Sequence, residues 1–182
     1  MCIRDRFPIN LILASGLAIS KDNSDKIYDR FRNRLIVPIH DMQGRVVAFG
    51  GRSLDFQEPK YLNSPESEIF EKGKMLFAFE KASSNIRKRD KAIIVEGYFD
   101  VISLHSKGIT NSVASLGTAL NKYQISQLCR CTDNKNIILN FDSDNAGILA
   151  TKRVIKEVES LSLHDQINLK ILQLNDFKDP DE

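Results

Sequence analysis

Six carboxylates fall where short apolar runs end, and their spacing is the first feature of this chain that could do chemistry. Glu96 follows Ala92-Ile93-Ile94-Val95, and Asp100 comes four positions later, on the same face if a helix starts there. Asp142 and Asp144 follow Ile137-Ile138-Leu139-Asn140-Phe141, just ahead of Gly147. Asp179 and Asp181 close a short loop after a last apolar run. In an open parallel sheet the site lies beyond the carboxyl ends of the strands, so the three groups are expected to converge. So many carboxylates would repel one another without cations, and hard oxygen donors suit Mg²⁺ or Mn²⁺. Glu96, crowded by the other acids, is expected to have a raised pKa, which suits proton handling. Any one of these acids, taken alone, reads as readily as a helix cap or a solvated side chain.

The elements that must position them follow from the pattern. From Lys91 onward, strands at Ala92–Val95, Asn111–Ser115, Asn136–Phe141 and Ile167–Leu174 alternate with helices at 98–107, 120–131 and 145–161. That alternation predicts a parallel α/β sheet covered on both faces. The third helix is expected to turn Ile148, Val154, Ile155 and Val158 inward and Lys152, Arg153 and Lys156 outward. Before Lys91 the chain reads as mixed β with short helices. Leu35–Ile39 and Arg45–Phe49 flank Asp41-Met42-Gln43-Gly44 and predict a hairpin. Gly50-Gly51 and the stretch from Pro59 to Pro65 read as loop, and residues 81–91 as a charged helical connector.

Composition narrows the class. The chain has 182 residues, 42% of them hydrophobic and 27% charged, which excludes disorder, collagen and coiled coil for the whole. A net charge of +2 leaves any nucleic-acid site to a local patch. The basic residues Arg30, Arg32, Arg34, Arg45, Arg52, Lys60, Lys72 and Lys74 gather in the first half and could track a strand. Tyr61, Phe49 and Phe31 could stack on bases or pack in a core. No apolar run approaches the roughly 18 residues of a membrane span. Three cysteines, Cys129 and Cys131 among them, offer neither a disulfide framework nor a CxxC pair, so a reducing compartment and a core role are expected. His40, His105 and His164 stand apart and suggest no triad. An EF-hand starting at Asp142 fails, because Ala146 and Arg153 occupy its fifth and twelfth positions. Neither a P-loop nor a dinucleotide fingerprint is present.

Four blocks in order, Glu96-Gly97-Tyr98-Phe99-Asp100, Ala114-Ser115-Leu116-Gly117-Thr118, Phe141-Asp142-Ser143-Asp144-Asn145-Ala146-Gly147 and Asp179-Pro180-Asp181, resemble the Toprim domain. Within that superfamily the chain is similar to bacterial replicative DNA primase, the DnaG type. Tyr28-Asp29-Arg30-Phe31-Arg32-Asn33-Arg34, Val37-Pro38-Ile39, Phe49-Gly50-Gly51-Arg52 and Pro59-Lys60-Tyr61-Leu62-Asn63-Ser64-Pro65 resemble blocks of that family's catalytic core. The resemblance runs from about Gly16 to Glu182.

The resemblance implies an α/β fold: a Toprim-type parallel sheet flanked by helices, preceded by a smaller mixed α+β lobe. It implies synthesis of short RNA primers on a single-stranded DNA template from ribonucleoside triphosphates, by two-metal nucleotidyl transfer. Glu96 then matches the catalytic glutamate, and Asp100, Asp142, Asp144, Asp179 and Asp181 match positions that bind two or more Mg²⁺ or Mn²⁺ ions. Arg52, Lys60 and Asn63 match a template-strand groove, and Lys72 a further phosphate contact. Zinc is implied only in a preceding domain of the parent, and a replicative helicase through a following one. A monomer in the bacterial cytoplasm, at the replisome and without membrane association, completes the expectation.

The expected organisation is a basic lobe over 7–90 and a Toprim catalytic domain over 91–182. Residues 1–6, Met1-Cys2-Ile3-Arg4-Asp5-Arg6, have no structural logic and are expected to be a sequencing or cloning scar. The chain stops inside its last motif, so a truncated carboxyl end and a longer parent are expected. The alternatives are another Toprim enzyme (a nuclease or topoisomerase fragment), a non-catalytic single-stranded-DNA-binding module, or a primase–helicase fusion with a motor downstream. The first-lobe blocks favour the stand-alone bacterial primase.

Overall fold

A computed structural model describes residues 6–20, 26–55, 58–161 and 166–173. Residues 1–5 of the expected scar, His164, Asp179 and Asp181 lie outside them. The chain forms two compact units, one of Met1–Ile39 with Val46–Glu71 and one of His40–Arg45 with Lys72–Glu182.

The first unit holds helix α1 (Ile9–Ala14), a pair of antiparallel strands β1 (Ala18–Ser20) and β2 (Ile27–Asp29), and a three-stranded sheet. That sheet runs in the order β3 (Arg34–His40), β4 (Val46–Ser53), β5 (Tyr61–Asn63). The β3–β4 turn is the expected one. Asp41 Oδ1 accepts from the amides of Gln43 at 2.9 Å and Arg45 at 3.0 Å, an acceptor role suited to turn-forming aspartates. Two stretches expected as loop are strand. Gly50 and Gly51 lie inside β4, and Tyr61–Asn63 pairs with it, Arg52 opposite Tyr61. Glycine serves close packing at Gly51. A Cβ there would lie 2.9 Å from Phe31 Cδ1 and 3.1 Å from Arg34 Cδ.

The second unit is the predicted alternation. It comprises α2 (Phe79–Arg89), β6 (Ala92–Val95), α3 (Tyr98–Ser106), β7 (Ser112–Ala114), α4 (Lys122–Cys129), β8 (Asn136–Leu139), α5 (Asn145–Glu159) and β9 (Asn168–Ile171). The sheet order is β7-β6-β8-β9, every neighbour parallel. One continuous core joins Phe79, Ala82 and Ile86 of α2, Ile125 and Leu128 of α4, and Val154 and Val158 of α5 to Ala92, Ile94, Val113, Ile137 and Leu139 of the strands. Burial of that many branched side chains is the main driving force for the unit. Helix α2 belongs to this core, and the compact unit takes in Lys72 onward together with His40–Arg45.

Among the described residues the opposite face is less fully covered. Helix α3 packs on β7 and shares nothing with that core, while Ile93 and Ile138 are half-buried and Lys170 is exposed. On α5 the expected inward set holds for Val154 and Val158, but Ile148 is 40% exposed. Cys129 and Cys131 are buried free thiols whose pKa values burial pushes up, as a core role requires.

Candidate functional site

Two parallel neighbours, β6 and β8, end side by side, with Ile94 opposite Leu139. Each strand then turns into a helix. Glu96 occupies the first turn and Asp142 the second, so sheet register alone brings them together. The Glu96 Oε1 accepts the Asp142 backbone N–H at 3.2 Å. Gly147, in the first turn of α5, closes the arrangement. A Cβ on residue 147 would overlap the Asp142 carbonyl oxygen and come within 2.8 Å of Glu96 Oε1. The site is therefore close-packed against backbone, and only glycine fits.

Asp100 and Asp144 serve the helices that follow. Asp100 is buried in the first turn of α3, where its Oδ2 accepts the Gly97 amide at 2.8 Å. Glu96 precedes that helix, so the two acids do not share a helical face as their spacing suggests; the chain turn at Gly97 relates them instead. Asp144 is the N-cap of α5, its Oδ1 accepting from Ala146 N at 2.9 Å and Gly147 N at 3.0 Å. Both acids are thus helix caps as well as neighbours of Glu96.

Their charge is felt at Glu96, whose carboxyl is pushed above its ordinary value. Burial contributes most and the Asp142 carboxylate next. The Asp142 amide opposes the rise, and Asp144 and Asp100 add smaller repulsions. A raised pKa is the sequence expectation, with burial ahead of crowding as its cause.

Convergence on a single ion is not what the described residues show. Among them, no three His, Cys, Asp or Glu side chains are placed to hold one metal. Asp100 and Asp144 each direct one carboxylate oxygen to backbone amides at a helix start. Asp179 and Asp181 fall outside the described residues.

The basic set of the first half divides in two. Arg34 Nη1 donates to the carbonyls of Pro59 at 2.7 Å, Gly51 at 3.4 Å and Lys60 at 3.4 Å. Arg30 donates through Nε and Nη2 to the Asn63 carbonyl at 3.3 and 3.1 Å. Arg45 pairs with Asp41 at 2.6 Å. Arg30 and Arg34 thus hold the backbone of strands and turns, and Arg45 the carboxylate of the turn residue Asp41. Arg52 and Lys60 instead flank Tyr61, their charged groups 5.9 and 5.6 Å from the ring centroid. Tyr61 is 43% exposed, so it is not a core aromatic, whereas Phe31 and Phe49 pack edge to face at 6.4 Å. Asn63 lies two residues along β5 from Tyr61, on the same face by strand alternation. Lys72 belongs to the second unit, in a 3₁₀ turn over Lys72–Lys74.

Sequence reading missed the packing role of Gly147. Its signal was the small pair Ala146-Gly147 directly after the acids, where the start of α5 passes the end of β6.

A family model described as the DNA primase catalytic core, N-terminal domain, matches residues 1–83, and one described as Toprim-like matches residues 93–182. A DNA primase of Synechococcus elongatus is 54% identical over 177 residues, covering 97% of this chain and 26% of the relative. The crystal structure of a DNA primase domain from Pseudomonas aeruginosa superposes with a TM-score of 0.87 at 42% identity, covering 94% of this chain and 53% of that one. A DnaG primase catalytic domain bound to single-stranded DNA gives 0.81 at 38% identity, covering 94% and 52%. The chain thus spans about a quarter of that curated relative and about half of those solved cores. With both halves matched in order, the chain belongs to the family of DnaG-type bacterial DNA primase catalytic cores with a Toprim domain.

Proposed function

We propose that this chain carries the nucleotidyl-transfer centre of a primase, making short RNA primers on single-stranded DNA from ribonucleoside triphosphates. The observation that carries the reading is Glu96, drawn onto the Asp142 loop and raised in pKa by burial and by three neighbouring aspartates. In primer extension a 3′-hydroxyl attacks the α-phosphorus, forming one P–O bond as the bond to pyrophosphate breaks. A carboxylate of raised pKa is suited to take the proton of that hydroxyl, and Glu96 is assigned that role. The side chains that raise the Glu96 pKa are all carboxylates, hard oxygen donors whose chemistry fits Mg²⁺ or Mn²⁺. Asp100, Asp142 and Asp144, joined by Asp179 and Asp181, would hold the ions, which when bound neutralise charge on the attacked phosphate and the leaving pyrophosphate.

On the first unit, Arg52, Tyr61 and Lys60 form a stacking platform flanked by cations, and with Asn63 they are assigned to the template strand. Lys72 is assigned to a phosphate. The same reading puts the protein at the replication fork in a bacterial cytoplasm, and no helix among the described residues is long and apolar enough to cross a membrane. The domain reading is retained with it: a template-binding first lobe and a Toprim catalytic domain.

The test follows RNA and DNA together. The chain is incubated with single-stranded DNA, four ribonucleotides and Mg²⁺ or Mn²⁺, with Asp142→Asn as control. Short RNAs are expected, falling on the order of 10²–10³ in rate in the variant, as for loss of a catalytic electrostatic contact. Shortened DNA without RNA would move the chain to the nuclease branch, and binding without either product to a binding module. Tyr61→Ala is expected to weaken binding of the DNA by about 1–3 kcal/mol per stacked base. Unchanged binding would remove Tyr61 from the interface.

A further inference from the structure

The basic turn Lys72-Gly73-Lys74 is held by two side chains roughly fifty positions away in sequence, and those side chains do little else that a simpler residue could not do. Asn121, the N-cap of α4, donates Nδ2 to the Gly73 carbonyl at 2.9 Å. Gln124, three positions on, donates Nε2 to the Lys72 carbonyl at 3.2 Å and the Met75 carbonyl at 2.7 Å. The amide oxygens of both are turned the other way, into the helix start. Asn121 Oδ1 accepts from Tyr123 N at 2.9 Å and Gln124 N at 3.1 Å, and Gln124 Oε1 accepts from Asn121 N at 3.1 Å.

Gln124 is 0% exposed, in a core where its neighbours Ile125 and Leu128 are also fully buried. A buried primary amide is tolerated only when its polar atoms are paired. Here the pairing of Nε2 is directed wholly at the carbonyls of one short basic segment. The segment's far end is fixed as well, by the Phe77 amide donating to the Ala114 carbonyl at 2.8 Å at the end of β7. Capping α4 needs only the two oxygens. The nitrogens of Asn121 and Gln124 have a separate task, and that task is the backbone of Lys72-Gly73-Lys74.

Lysine reaches its ligand on a flexible four-carbon stem, so its usefulness depends on how firmly its backbone is held. We propose that Asn121 and Gln124 are positioning residues that present the Lys72-Gly73-Lys74 turn as a phosphate-binding element. The phosphates are those of a nucleoside triphosphate or of a nucleic-acid strand. The proposal rests on the reading of Lys72 as a phosphate contact.

The decisive variant is Asn121→Ser. Serine keeps an oxygen to cap α4 but has no amide to give Gly73, so the helix start survives while the tether is lost. It is compared in the full chain with Lys72→Ala and with the double variant, after thermal melting has shown each to be folded. Two probes are used: a fluorescent single-stranded oligodeoxynucleotide titrated at several salt concentrations, and ATP. Lys72→Ala is expected to weaken one probe about tenfold, the loss of a charge-assisted contact, and Asn121→Ser to weaken the same probe about threefold. The double variant should bind no worse than Lys72→Ala, because Asn121 acts through the turn. A loss confined to the oligodeoxynucleotide identifies strand phosphates, and one confined to ATP identifies the triphosphate.

Additive losses, an Asn121→Ser variant that binds both probes like the wild type, or a Lys72→Ala variant that weakens neither would each overturn the proposal. Gln124→Leu supplies a second reading if it folds, with the same dependence on Lys72 expected. Failure of the wild-type chain to make RNA counts against the primase reading but leaves this binding cycle able to decide the positioning role.

Discussion

The two ends of the parallel sheet each carry a conspicuous acid, and the sheet treats them oppositely. At the amino end, Asp90 lies between α2 and β6. Its Oδ1 accepts from the amides of Asp133 at 2.6 Å and Asn134 at 3.1 Å, and its Oδ2 from the side-chain amides of Asn134 at 2.6 Å and Asn136 at 3.2 Å. The Asn134 side-chain amide, then the other amides, hold its carboxyl below the ordinary value. At the carboxyl end, Glu96 has one backbone amide from Asp142 and three aspartates for company, and its carboxyl is pushed up. The first acid has its charge stabilised by amide donors and ties β6 to the loop before β8. The second is half-buried beside other carboxylates that repel its charge, a setting in which a carboxyl keeps its proton longer or favours a cation. Direction of the pKa shift therefore separates the structural acid from the one assigned to chemistry.

The largest effect expected is from Gly147→Ala. The added Cβ must displace the Asp142 carbonyl and also crowds the Glu96 carboxylate, and the backbone has little room to yield. Overpacking of this kind costs typically 1–3 kcal/mol or more, and here it would also part the two acids. Thermal melting should show a clear drop and RNA synthesis should fall as far as in Asp142→Asn. An alanine variant of wild-type stability and activity would mean the loop after β8 is not held as tightly as the close approach implies.

Glu96→Gln tests the carboxyl end alone. A carboxyl whose pKa is raised in the fold binds protons more tightly there than in the unfolded chain, so it costs stability once pH rises past its unfolded value of 4.5. The variant should therefore melt above the wild type near neutral pH in the absence of divalent metal, even as it loses activity. The gap should close as pH falls below about 4.5, where the unfolded carboxyl is protonated too. Mg²⁺ should raise the melting temperature of the wild type more than that of the variant. A variant less stable than wild type at every pH would show that Glu96 is a satisfied group, like Asp90.

Much of this was legible in the sequence, for a physical reason. Short apolar runs alternating with helical periodicity leave few options besides a parallel sheet, and in such a sheet acids following the strands must lie at one end. Neighbouring β6 and β8 therefore placed Glu96 beside Asp142 without further help. What the pattern could not give is which atoms are already engaged. Asp100 and Asp144 read as two of six acids converging on cations, but each is also held by amides at a helix start. Arg30, Arg34 and Arg45 read as part of a binding set, but their guanidinium groups are committed to carbonyls or to Asp41. Gly50-Gly51 read as loop because glycine usually interrupts strands, whereas at Gly51 it makes room for Phe31 and Arg34. Local rules predict elements well, but the occupancy of a polar atom depends on partners distant in sequence.

The smallest effect, and the sharpest contrast with Glu96, is expected at Asp90. Asn is the informative substitution, because Asp90 has φ of +48°, a conformation Asn tolerates and Ala does not. Asn keeps one oxygen for the backbone amides of Asp133 and Asn134 but turns an NH₂ toward the side-chain amides of Asn134 and Asn136, setting donor against donor. A carboxyl with a depressed pKa stabilises the fold above its unfolded value of 3.8 and loses that contribution as pH falls below it. Asp90→Asn should therefore melt below wild type at neutral pH, by less than Gly147→Ala. The electrostatic part of that difference should shrink under acid, while Glu96→Gln differs from wild type in the opposite sense over the neutral range. RNA synthesis, assayed well below the melting temperature, should be unchanged, since Asp90 lies at the end of the sheet away from Glu96. If Asp90→Asn lowered activity at full stability, the amino end of the sheet would have a part in the chemistry, and the contrast between the two acids would fail as a guide to which one acts.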